Sequence, residues 1–176
     1  MRKSPTVCLI IVNVVIFLLT MGGNLFAGTL ANTYPATIGN LELYRLLTCI
    51  FFHFGVMHLL CNMFSLFQLG IVIEQMYSKK TLFFVYFTTG ILSSLGSCVL
   101  HEFLGQSVLS AGASGAICGL IGFLIGNMRS RIRNSFGNIL MALLPIIVIG
   151  FSPGVDNLAH WTGCIAGILI GLIYRK

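Results

Sequence analysis

Residues 56–77 read VMHLLCNMFSLFQLGIVIEQMY, a mostly apolar run that carries His58 and Asn62 four positions apart. Crossing about 30 Å of hydrocarbon takes ~20 helical residues, and this run is long enough. Five other apolar stretches lie along the chain, at 6–22, 81–100, 113–128, 136–151 and 157–174. The stretch at 113–128 opens on a glycine-rich turn and falls short of a full crossing, so it is expected to begin below the membrane surface. The expected fold class is therefore all-α: a polytopic membrane protein, a bundle of six transmembrane helices, with residues 1–176 forming a single domain. The segment 23–50, which mixes Gly, Asn, Thr and Pro35 with apolar residues, is read as a loop lying on or dipping into the interface.

Composition supports insertion. The chain is 57% hydrophobic and 8% charged, with a mean hydropathy of +0.98. A soluble domain carries roughly a quarter of its residues charged. The net charge of +6 does not mark a nucleic-acid partner, because no clustered basic face accompanies it. Instead the basic residues orient the chain by the positive-inside rule. Arg2 and Lys3 precede the first span, Lys79 and Lys80 follow the second, Arg129, Arg131 and Arg133 follow the fourth, and Arg175 and Lys176 end the sixth. Arg45 alone falls on the other side. Both termini are thus expected in the cytoplasm, in a bacterial cell membrane. The start Met1-Arg2-Lys3 resembles a signal peptide but lacks an A-x-A-type cleavage site, so it is read as a retained span. The six cysteines sit mostly in apolar runs without a CxxC pair and are read as small hydrophobes.

Polar side chains inside spans are costly and so become functional candidates. Ser114 lies 15 residues before Arg129, and His160 lies 15 before Arg175. At ~1.5 Å per residue both sit about 22 Å from the cytoplasmic boundary. Asn62 and His58 fall in the same layer. Each alone would be read as interhelical glue or a back-bonded side chain; their matched depth is what raises them together. Gly112-Ala113-Ser114-Gly115 places a small nucleophile where a loop becomes a helix. The helix beyond carries Gly115, Gly119, Gly122 and Gly126, and the last span carries Gly163, Gly167 and Gly171 below His160. Such stripes let helix backbones approach closely, which would bring Ser114 to His160. His58 and Asn62 share one helix face, and with the Ser114 amide they can donate to a developing oxyanion. No acid completes a triad: Asp156 is read as the cap of the last span, and Glu42, Glu74 and Glu102 lie in loops or at span ends.

These residues resemble the rhomboid family of intramembrane serine proteases, over about 42–174. The resemblance rests on Glu42-Leu43-Tyr44-Arg45, His53, the pair His58/Asn62, Gly112-Ala113-Ser114-Gly115 and Ala159-His160-Trp161-Thr162-Gly163. It implies Ser114 as nucleophile, His160 as base, and an oxyanion hole of His58, Asn62 and the Ser114 amide, with Gly112, Gly115, Cys118 and Gly163 supporting them. The implied substrates are single-span membrane proteins cut near the outer face, with the lipid bilayer as solvent and no cofactor or metal. Two positions depart from the family pattern. Tyr44 stands where the family usually has Trp, and Cys118 stands where an aromatic often stacks on the catalytic imidazole.

Three other readings are weaker. A catalytically silent relative that binds transmembrane clients would not need Ser114, His160, His58 and Asn62 together. A channel or transporter would show an internal repeat. A metal site from His53, His58, His101 and His160 lacks ligand spacing. Span five and the loop around Gly154, lacking a glycine stripe, are expected to move.

Overall fold

The computed structural model describes residues 4–20, 24–127, 137, 141 and 155–174. The expected fifth span, the loop at Gly154 and the basic residues near 2, 130 and 175 lie outside these, apart from 137 and 141. Among the described residues the chain is helical, with one isolated antiparallel bridge between Asn32 and Ser110 and no strand. Its helices are α1 (Pro5–Thr20), α2 (Asn24–Leu30), α3 (Arg45–Thr48), α4 (Val56–Met76), α5 (Lys79–Phe103), α6 (Ser114–Gly126) and α7 (Asn157–Ile173), with a π-helical turn at Pro35–Gly39. α4 and α5 are long and apolar enough to cross a membrane; α1, α6 and α7 are shorter apolar helices.

Local chemistry sets several helix ends. Ser78 is extended and accepts from the Thr81 amide at 3.1 Å, so α5 starts at Lys79, before the sequence reading placed it. Asp156 accepts from the Ala159 amide at 3.0 Å and caps α7, as expected of it. The first turn of α1 is capped from another helix: Glu74 of α4 accepts from the Thr6 amide (2.8 Å) and from the hydroxyls of Ser4 and Thr6 (2.6 Å each).

Where the sequence reading has a loop at 23–50, the described residues 24–50 include α2, the π-helical turn and α3. The segment's polar residues make the structure, being consumed inside it. Buried Asn32 donates to the Ser94 carbonyl at 2.7 Å and accepts from Thr37 at 2.8 Å. Arg45, also buried, pairs with Glu42 at 2.5 Å and donates to the Ala31 carbonyl at 2.9 Å. The Arg45 hydrogen bond, followed by that from Tyr44, holds the half-buried Glu42 carboxyl below its ordinary value.

α6 is the centre of the bundle, buried at every residue from Gly115 to Leu124. A helix apolar all round belongs in such a place. Leu66, Leu69 and Ile73 of α4, Leu82 and Val85 of α5, and Leu120, Phe123 and Leu124 of α6 share its core. The expected facing of the glycine stripes is present, with a refinement. A Cβ on Gly122 or Gly126 would overlap the backbone of α7 at Cys164 and Ile168, and one on Gly163, Gly167 or Gly171 would overlap the carbonyls of Gly115, Gly119 and Phe123. The missing side chains of Gly115 and Gly119 instead make room for Ser93 and Thr89 of α5. The far side of α7 exposes Trp161, Ile165, Leu169 and Leu172, an apolar outer face opposite the glycine one. At the end of α6 away from Ser114, Asn127 donates to the carbonyls of Gly171 (2.9 Å) and Tyr174 (2.8 Å) and accepts from Tyr77 (3.0 Å).

Because Gly167 meets backbone and not a side chain that could turn away, Gly167→Ala is expected to destabilise the fold by about 1–3 kcal/mol or more. Gly28, with open space around it, is the control. A lowered unfolding midpoint for Gly167→Ala beside an unchanged one for Gly28→Ala checks this; equal midpoints would contradict the backbone contact.

Candidate active site

Ser114 is the first residue of α6, and the turn before it is built for close approach. Gly112 adopts φ +117°, in the region that favours glycine, and its amide donates to the Cys49 carbonyl at 2.8 Å. A Cβ at Gly112 would sit 2.7 Å from the His58 ring. His53 holds the same turn from the other side, with Nε2 accepting from the Ala113 amide at 3.4 Å and Nδ1 3.2 Å from the Phe51 carbonyl. Burial, and then the neighbouring His58, push the His53 imidazole down to about 3. It is therefore neutral, the form that accepts on one nitrogen and donates from the other.

His160 lies on the first turn of α7, and its Nε2 is 2.8 Å from Ser114 Oγ. The contact follows from the backbone packing below it, where Gly163 rests on the Gly115 carbonyl. His58 and Asn62 border the same cavity of about 460 Å³ as Ser114 and His160, together with Gly112 and Gly115. Asn62 is buried; its Nδ2 donates to the His58 carbonyl at 2.8 Å, while Oδ1 has no partner. The His58 ring stacks near Phe54 (centroids 6.3 Å apart, 11° between planes) and meets His53 edge-on at 5.0 Å.

The other sequence candidates do not touch the Ser114–His160 pair. Cys118 is buried on α6 and does not line the cavity. Among the described residues no aromatic ring stacks on His160, and Trp161 next to it points outward, 67% exposed. All six cysteines are free thiols. Asp156 makes no side-chain bond to His160; its carboxylate goes to Ala159, His101, Ser97 and Ser110. His101 lies at the end of α5, away from His53 and His58, so the four histidines do not converge, and the described residues hold no cluster fit for a metal. Sequence reasoning passed over Ser93, whose hydroxyl donates to the Ala159 carbonyl at 2.7 Å, and Ser97. Their only signal was a spacing of four on one helix face.

A helical bundle with a serine at the head of a glycine-packed helix and a histidine against it defines a class of membrane protein with a half-buried Ser–His pair. A family model described as a Rhomboid domain matches residues 40–176. The chain belongs to the rhomboid family and is an integral membrane protein. Over 138 residues it is 38% identical to RHOMBOID-like protein 5 of Arabidopsis thaliana, covering 75% of this chain and 44% of that one. It is 34% identical over 131 residues to Rhomboid protease GluP of Bacillus subtilis (strain 168), covering 72% of this chain and 25% of that protein. With Rhomboid-like protease 2 of Toxoplasma gondii it shares 26% identity over 187 residues, 97% of this chain and 65% of that one. The chain thus spans less than half the length of the first two.

Gly112→Ala is expected to combine a backbone cost of about 1–2 kcal/mol with a clash against His58. Gly105→Ala, at φ +65° in open space, should show the backbone cost alone. Unfolding midpoints of the two variants check the difference; equal losses would mean that His58 does not press on Gly112.

Proposed function

We propose that this chain is an intramembrane serine endopeptidase that hydrolyses peptide bonds of transmembrane proteins near the outer membrane face. The observation that carries this reading is the 2.8 Å separation of His160 Nε2 and Ser114 Oγ in a cavity large enough for a peptide segment. A serine hydroxyl is a weak nucleophile until a base in hydrogen-bond reach takes its proton. Here Oγ attacks the scissile carbonyl as its proton passes to Nε2. The imidazolium then delivers that proton to the leaving amine, and water repeats the sequence on the acyl-enzyme.

The oxyanion needs donors aimed at it. As the first residue of α6, Ser114 has an amide outside the i→i−4 ladder, at the positive end of the helix dipole. Asn62 spends one Nδ2 hydrogen on the His58 carbonyl and keeps the other for the cavity. His58, set beside Gly112, supplies the third donor. The reaction written this way uses protein groups only. The relative named as a protease, GluP, supports the reaction class. The same proposal includes single-span membrane proteins as substrates, six spans in one domain, both termini in the cytoplasm, and a bacterial cell membrane as the location.

A fluorophosphonate should label Ser114 in the folded protein, and the purified chain in detergent should cleave a model transmembrane substrate. Ser114→Ala and His160→Ala should each abolish cleavage; persistent cleavage by both would end the assignment. Asn62→Ala should lower kcat by about 10²–10³, the usual loss for one oxyanion donor. A smaller loss would assign that role to His58 and the backbone.

A further inference from the structure

The base is held by something other than a ring. Ser93, Ser97 and His101 are spaced by four on α5, so they line one face of it, and all three reach the first turn of α7 or its cap. Ser93 Oγ donates to the Ala159 carbonyl at 2.7 Å, the peptide joining Ala159 to His160. Ser97 donates to Asp156 Oδ2, and His101 Nε2 is 3.0 Å from Oδ1 of the same carboxylate. Thr162 returns a bond from α7 to the Ser93 carbonyl at 3.3 Å.

The device is closed on its far side. His101 Nδ1 is 3.0 Å from Gln106 Oε1, and the Gln106 amide donates to the His101 carbonyl at 2.8 Å, so the ring is held at both nitrogens. The side chains of His101 and Asp156 are only 11% and 7% exposed. A surface ion pair contributes little, but a buried carboxylate must have its donors or it is costly. Burial alone would raise the Asp156 carboxyl; bonds from Ser97, Ser110, the Ala159 amide and His101 bring it below its ordinary value. Asp156 also borders the cavity, one helical turn before His160.

We propose that the stripe Ser93–Ser97–His101 of α5, acting through Asp156 and the Ala159 carbonyl, is the positioning device that sets the His160 ring against Ser114. It takes the place of a stacked aromatic, which Cys118 does not provide. These four are positioning residues, and the inference rests on His160 being the base. Satisfying Asp156 fixes the first turn of α7 in rotation and height. A 1 Å error in that turn is enough to cost about a hundredfold in rate.

The test is steady-state cleavage of a model transmembrane substrate by the full chain carrying Asp156→Ala, Asp156→Asn or His101→Gln, with unfolding midpoints measured alongside. Glu102→Gln, an exposed charge beside His101 on α5, is the control and should match the wild type. Asp156→Asn keeps an acceptor for the Ala159 amide, so it remains folded if the alanine variant does not. The expected result is a fall in kcat of about ten- to a hundredfold with KM unchanged, at midpoints above the assay temperature. Wild-type kcat in Asp156→Asn and His101→Gln would overturn the proposal, and so would losses that only follow the fraction unfolded. Modification of His160 by diethyl pyrocarbonate, followed by mass spectrometry, needs no proteolysis. It should run several-fold faster in folded Asp156→Asn, and an unchanged rate would overturn the positioning role. If Ser114 of the wild type resists the fluorophosphonate, it is the protease reading that fails, whatever the modification rates show.

Discussion

Everything at the candidate site depends on two helix backbones touching. α6 and α7 meet through glycine, with the carbonyls of Gly115, Gly119 and Phe123 seated where Gly163, Gly167 and Gly171 have no side chain. In lipid there is little hydrophobic gain from helix association, so close van der Waals packing and interhelical hydrogen bonds carry it. The same contact fixes distance. Ser114 begins one helix and His160 lies on the first turn of the other, so the separation of their side chains follows from the seat of Gly163 on Gly115.

Close backbone packing sets how far apart the helices are but leaves rotation and sliding to be limited by other groups. Polar anchors at the two ends of α6 do this. At one end Asn127 ties α6 to the last turn of α7 and to Tyr77, while Tyr77, Phe123 and Tyr174 pack edge-on with centroids 5.0–5.7 Å apart. At the other end the turn at Gly112 is held by Cys49 and His53, and α7 is gripped by polar residues of α5. In a medium that offers no water, each anchored group is worth more made than broken.

Much of the fold was legible because the membrane constrains it. A helix that crosses hydrocarbon must be long and apolar, so α4 and α5 stand out in the sequence to within a few residues. The cap at Asp156 and the two glycine stripes were also legible, since both depend on short-range spacing, though not that the stripes face each other. The segment 23–50 was not. Asn32, Thr37 and Arg45 look like surface residues in sequence, and only the partners they find in Ser94, Glu42 and the Ala31 carbonyl turn that segment into buried structure. Ser93, Ser97 and His101 were hidden for a similar reason: a serine on an apolar helix usually back-bonds within its own turn.

By itself the sequence determined that the chain enters a membrane as helices, and that Ser114, His160, His58 and Asn62 are its candidate residues for chemistry. Those features rest on composition and on spacing within one helix, which any reader of the chain can count. Only the tertiary structure decided that His160 Nε2 meets Ser114 Oγ, that Cys118 lies away from the cavity, and that α5 grips the turn carrying the base. The contacts that decide this join residues 46 to 69 positions apart. No local period encodes them, because they are set by how whole helices seat against one another.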